Sequence, residues 1–144
     1  MKNPTQQTKS VKAKEINRKW HLFDVKGKIL GRMASEISQL LQGKNKVNYV
    51  SYLDMGDYVV VINAKKVAIS GRKNKTKVYT NYSGYPGGLR MVTYEKLLEQ
   101  NPGLIIKNAV SGMLPKNKFR DVRLNRLFIF ADENHPYKNK FIKL

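Results

Sequence analysis

The sequence predicts an α/β fold: a three-layer α/β/α sandwich around a small, mainly parallel sheet, with extended basic tails at both ends. Three observations point there. A short strand candidate, Trp20-His-Leu-Phe-Asp-Val25, leads through a glycine turn into an amphipathic helical stripe. The segment Tyr58-Val-Val-Val-Ile-Asn63 then sets four β-branched residues in a row. Such a run has no polar face, so it needs cover on both sides, as a central parallel strand does. Finally, helical and strand-like segments alternate as far as Ala131, the order expected when helices pack on a mostly parallel sheet.

Taken in order, residues 1–19 are polar, lysine-bearing and nearly free of apolar side chains, which predicts a flexible basic arm. The folded unit begins at Trp20 and runs to residue 131. After the turn Lys26-Gly27-Lys28, Leu30, Met33, Ala34, Ile37, Leu40 and Leu41 recur at helical spacing, and Gly43 stands where a left-handed glycine ends a helix. This strand–turn–helix is the first half of a βαβ unit. Val67-Ala-Ile-Ser70 and Lys77-Val-Tyr-Thr80 are weaker strands around a basic turn. Thr93 is placed to cap a helix over residues 94–100. Asn101-Pro102 pairs a capping residue with proline at the first helical position, opening a helix over about residues 103–114 that Pro115 stops. Asn117 caps a short basic helix, and Leu127-Phe-Ile-Phe-Ala131 is a last buried strand. Residues 132–144 have no period and read as an extended C-terminal tail.

Charge narrows the function. The chain has 144 residues, one domain's worth, and carries 28 lysines and arginines against 10 acids, a net +18. A small soluble domain typically carries a magnitude of roughly 2–8. The excess repels itself unless a polyanion absorbs it, and nucleic acid is the commonest one. There is no cysteine, which excludes disulfides, zinc ribbons and thiol chemistry, and the two histidines, His21 and His135, lie far apart. No metal and no cofactor is expected. No apolar run nears the ~18–20 residues of a membrane span, and no secretory apolar core follows the N-terminus.

The cations cluster. Between Asp57 and Glu95 there is no acid, while Lys65, Lys66, Arg72, Lys73, Lys75, Lys77 and Arg90 fall there. Ser70-Gly-Arg-Lys-Asn-Lys-Thr-Lys77 is too polar and glycine-punctuated for a helix. It is expected as an exposed loop offering charge to phosphates. Asn81-Tyr-Ser-Gly-Tyr-Pro-Gly-Gly-Leu-Arg90 follows. Its glycines, Gly87 and Gly88 among them, permit close backbone approach, and Tyr82 and Tyr85 can stack on unpaired bases. The same residues equally suit a tight structural turn with both tyrosines folded back on the domain. Lys116, Arg120 and Arg123, spaced i, i+4 and i+7, form one basic helix face with Lys118 and Arg126 beside it. Lys44 and Lys46 add two cations after the first helix.

Signatures of catalysis fail. Gly27-Lys-Ile-Leu-Gly31 is one residue short of a phosphate-binding loop and lacks the following Gly-Lys-Ser/Thr. Ser70, Ser83 and Ser111 precede glycines without the glycine two positions earlier that a nucleophile elbow needs. Asp54 and Asp57 suit turn capping or arginine pairing better than acid–base work. No enzyme is expected.

Several stretches together resemble the bacterial form of the large-subunit ribosomal protein thirteen family. They are Gly27-Lys-Ile-Leu-Gly-Arg32, Gly56-Asp-Tyr-Val-Val-Val-Ile-Asn-Ala64 with Lys66-Val67, Tyr82-Ser-Gly-Tyr-Pro-Gly-Gly-Leu89, Gly112-Met-Leu-Pro-Lys-Asn117 and His135-Pro136. They run in order over most of the chain. The resemblance implies a four-stranded parallel sheet within the three layers, and a cytoplasmic ribosomal location of bacterial rather than organellar kind. It implies a part in early large-subunit assembly, with large-subunit (23S-type) rRNA and neighbouring large-subunit proteins as partners. It implies no membrane and no small-molecule substrate. Matching positions carry RNA contact to Tyr82, Tyr85, Gly87, Gly88, Lys116 and Asn117. Arg32 in the first motif, and His135, Tyr137 and Lys138 near the C-terminus, join the candidate contacts.

Overall fold

The computed structural model describes residues 10–141. Residues 1–9 of the expected arm and 142–144 of the expected tail lie outside the described residues. Strand β1 (Trp20–Asp24), helix α1 (Leu30–Gln42) and strand β2 (Tyr58–Ile62) form the expected βαβ unit, with β1 and β2 parallel. The α1 stripe is buried as its spacing requires: Leu30, Met33, Ala34, Ile37, Leu40 and Leu41 all face the core. Fully burying Ile37 or Leu41 contributes about 1.5–3 kcal/mol each. Gly43 ends α1 at φ 80°, its N–H donating to the carbonyls of Gln39 and Leu40.

Helix α2 (Lys73–Thr76) is a single turn. Strands β3 (Val78–Tyr82) and β4 (Leu89–Thr93) make an antiparallel hairpin. Helices α3 (Tyr94–Gln100) and α4 (Pro102–Met113) follow. The Asn101 carboxamide oxygen accepts the Leu104 N–H at 3.2 Å and caps α4, with Pro102 at its first position. The Thr93 side chain makes no such bond to α3. Helix α5 (Arg120–Leu124) leads to strand β5 (Leu127–Ile129), parallel to β2.

The main sheet therefore has the order β1-β2-β5, with β2 central as its β-branched run predicts. It has three strands, not the expected four. The 67–70 segment reaches the first βα turn through one bridge, Ala68 to Ile29, and β3 pairs with β4 instead of joining the sheet. The three-layer arrangement also needs correction. Val59 and Val61 share one core with α1, α3 and α4. Successive side chains of a strand alternate faces, so Trp20, Tyr58, Val60 and Phe128 lie on the other side. No helix covers that side among the described residues. Aromatic rings do: Trp20 stacks on Tyr58 at 4.5 Å and on Tyr137 at 5.2 Å, and Tyr137 lies 4.7 Å from Phe128. Thus the expected extended C-terminal tail instead folds back over the sheet, with a 3-10 turn at Lys138–Lys140.

Candidate nucleic-acid interface

The acids of the chain determine which cations remain outside. Asp54, at the end of the loop after α1, is enclosed by arginines. Arg126 Nη1 and Nη2 donate to its two carboxylate oxygens at 2.6 and 2.7 Å, and Arg123 Nε donates at 3.4 Å. Burial alone pushes the Asp54 carboxyl up, but the hydrogen bonds and charge of Arg126, aided by Arg123, hold it below its ordinary range. Asp57 is treated alike. Burial opposes its ionisation, while the Lys46 ammonium at 2.6 Å, the Lys19 N–H and His21 Nε2, both at 3.0 Å, keep it low. Of the two carboxylates expected to cap turns or pair with arginines, Asp54 does hold arginines, whereas Asp57 holds a lysine and a histidine instead.

This removes three cations from the solvent-facing set that the sequence suggests. Arg123 is 2% exposed and Arg126 is buried, both against Asp54. Lys46 spends its ammonium on Asp57 and on the carbonyls of Asn17 and Met55. A cation on a helical wheel reads as free unless its partner is known, and Asp54 lies 69 residues from Arg123. Arg120 is half-buried and donates to the Ser111 hydroxyl.

The remaining cations lie open. Arg32 stands on the outer side of α1, and Lys44 follows its C-terminus. Arg72, Lys73 and Lys75 are exposed on and beside α2, which is a one-turn helix where a loop is expected. Thr76 makes that turn possible locally, its hydroxyl donating to the Arg72 carbonyl at 3.1 Å. Lys77 is half-buried, its ammonium 5.1 Å from the centre of the Tyr79 ring. Arg90, Lys116, Lys118 and Lys138 are exposed. None of Arg32, Lys44, Arg72, Lys73, Lys75, Lys77, Arg90, Lys116, Lys118 and Lys138 enters an ion pair among the described residues. Asn117 accepts the Phe119 N–H at 3.2 Å, so its side chain shapes the turn before α5.

Residues 83–88 are the tip of the β3–β4 hairpin. The tip closes tightly: the Gly88 N–H donates to the Tyr85 carbonyl at 2.9 Å, and Ser83 N–H to the Gly88 carbonyl at 3.3 Å. Gly87 has φ 75° and open space around it, whereas a Cβ on Gly88 would stand 2.0 Å from the Ser83 hydroxyl. The tyrosines do not fold back on the domain. Tyr82 is 61% and Tyr85 76% exposed. His135 and Tyr137 sit elsewhere, in the aromatic cluster, with His135 edge-on to Phe141 at 5.7 Å. Strand β4 escaped the sequence reading. Its only signal was the β-branched pair Val92-Thr93 after Leu89-Arg-Met91, too short and without period-2 alternation, and it followed a glycine-rich run.

The sequence has counterparts among known proteins. The family model described as Ribosomal protein L13 matches residues 18–136. Among similar chains, the large ribosomal subunit protein uL13 of Thermotoga petrophila is 46% identical over 94% of this chain and 91% of its own length. That of Rubrobacter xylanophilus is 49% identical over 85% and 86%, and that of Geobacter sp. 47% identical over 90% and 92%. With the matching model spanning the βαβ unit, the basic α2 segment and the β3–β4 hairpin, this chain belongs to the ribosomal protein L13 family.

Proposed function

We propose that the chain is a structural constituent of the large ribosomal subunit in the bacterial cytoplasm. It binds 23S-type rRNA, touches neighbouring large-subunit proteins and supports early assembly of the particle. Membership of the L13 family makes it a non-enzymatic protein. The observation that carries the RNA reading is the sorting of charge. Half-buried Asp54 and buried Asp57 consume Arg123, Arg126 and Lys46, while Arg72, Lys73, Lys75 and Arg90 stay exposed beside a hairpin with two open tyrosines. Unpaired cations recruit phosphates, and exposed rings offer stacking faces to unpaired bases. Residues 20–131 form the RNA-binding unit, with residues 1–19 as an arm and 132–144 as a tail. Co-sedimentation tests the placement: the chain is expected to travel with large subunits in stoichiometric amount. Nuclease footprints on large-subunit RNA should then depend on the α2 cations. A chain that stays at the top of the gradient refutes the reading.

A further inference from the structure

Along the β3–β4 hairpin the side chains alternate between the domain and open solvent. Tyr79 and Val92 turn inward against the core. Val78, Thr80, Tyr82, Leu89, Met91 and Thr93 share the opposite face, as facing pairs Val78–Thr93, Thr80–Met91 and Tyr82–Leu89. All six are exposed, Met91 to 65%. None carries a charge, in a chain with 28 lysines and arginines. Among the described residues β3 and β4 pair only with each other, and none covers this face. Four large apolar side chains gathered on one open face mark a binding surface.

The chemistry of the face says what meets it. RNA backbone is held by cations and polar donors, and this face has no cation. Base stacking needs flat rings, and Tyr82 is the only ring of the six. It stands at the tip end of the face, paired with Leu89, where it borders the RNA-facing tip, and the rest of the face has none. Val78, Leu89 and Met91 are aliphatic, matched to an apolar protein surface, and methionine adapts its shape to such a contact. Electrostatic complementarity agrees, since a neutral face suits a neutral partner while the cations of α2 stand beside it for the polyanion.

We propose that the outer face of β3–β4 docks a neighbouring protein of the large subunit, one that presents an uncharged apolar patch. This rests on the functional reading above, because such a neighbour is at hand only in that particle.

The test places the photo-crosslinker p-benzoylphenylalanine at position 91, incorporates the chain into large subunits, irradiates them and separates products by nuclease and protease. Position 91 should yield an adduct with one defined subunit protein, and the same probe at position 75 an adduct with RNA. An RNA adduct from position 91, or no adduct in fully occupied subunits, overturns the proposal. Met91→Lys supplies an independent reading. Its affinity for protein-free large-subunit RNA should be unchanged or higher. In competition with wild type for places in complete subunits it should lose roughly tenfold or more, because the docked partner would bury an unpaired ammonium. Equal competition overturns the proposal. Wild type that fails to sediment with large subunits refutes the functional reading and takes this inference with it. Wild type that sediments while both hairpin tests fail refutes the inference alone.

Discussion

Asp54 and Arg126 form a two-pronged pair, Oδ2 to Nη1 at 2.6 Å and Oδ1 to Nη2 at 2.7 Å, that ties the loop before β2 to the residue before β5. The planar guanidinium fork matches the carboxylate, so both partners are held in orientation as well as by charge. Arg123 approaches the same carboxylate from α5, and Arg18 from the N-terminal side at 3.9 Å. One carboxylate thus gathers three segments at one end of the sheet. Burial without it would leave two arginines uncompensated.

Asp54→Ala is therefore expected to destabilise the free protein by about 3–5 kcal/mol, the cost of stranding a buried charge. Lys65→Ala, which breaks the exposed pair with Asp132, should change stability by no more than about 0.5 kcal/mol. Denaturant unfolding of both variants checks the contrast. Equal effects would mean that Arg123 and Arg126 find other partners when Asp54 is gone.

The same carboxylates set the acid limit. Asp54 and Asp57 are both held below the ordinary value of 3.8. A group whose folded pKa is depressed contributes stability that is full above its unfolded pKa and is lost as pH falls through the folded one. Thermal stability should therefore be level with respect to these groups near neutrality and fall as pH drops below about 4. Asp54→Asn should flatten that acid limb while lowering stability at pH 7. An acid limb unchanged in Asp54→Asn would assign the loss to other groups.

Binding to RNA should weaken steeply with salt. Replacing Arg72, Lys73 and Lys75 together by Ala should make the slope of log affinity against log salt shallower by about two to three units. The melting temperature should barely move, since all three side chains are exposed and unpaired among the described residues. Lys77 is left in place because its stem and charge lie over Tyr79. A slope equal to wild type's would remove α2 from the contact surface.

Much of this was legible in the residues, and the exceptions share a cause. The βαβ unit and α4 announce themselves through period and caps, both local properties. Val60 shows how far that goes: the run of four β-branched residues to which it belongs predicts cover on both faces, and Val60 is fully buried between Leu22 and Phe128 in register. Val60→Asp should accordingly abolish soluble folding. Circular dichroism of a well-folded Val60→Asp protein would contradict the central place of β2. What the residues conceal is partnership at long range. Arg123 looks like an outward cation until Asp54 is beside it. The rings of Tyr137 and Phe141 have no helical or strand period, yet they cover the second face of the sheet with Trp20. The one-turn helix α2 has no apolar stripe to betray it.

The glycines of the hairpin tip separate fold from function more finely than their sequence suggests. Spacing alone treats Gly87 and Gly88 as equals, both permitting close approach to RNA. The structure makes them different. Gly88 has no room for a Cβ, which would meet the Ser83 hydroxyl at 2.0 Å and the Tyr85 carbonyl oxygen at 2.9 Å. Gly87 has open space but a left-handed φ of 75°, costing a side-chain-bearing residue about 1–2 kcal/mol. Gly88→Ala should therefore loosen the tip whether or not RNA is present, raising amide exchange at Ser83 and Gly88, whose N–H groups close the turn. Ser83→Gly in the same chain should restore part of that protection by clearing the nearer obstacle. Gly87→Asn should be mild in the free protein, since asparagine tolerates the left-handed region. Its added side chain points into the space where RNA is proposed to approach, so its defect should appear in subunit occupancy instead. Amide exchange on the free variants and occupancy in purified subunits beside wild type make the paired measurement. Full occupancy for Gly87→Asn would turn that side of the tip away from RNA. Unaltered exchange in Gly88→Ala would mean that the turn does not need its glycine.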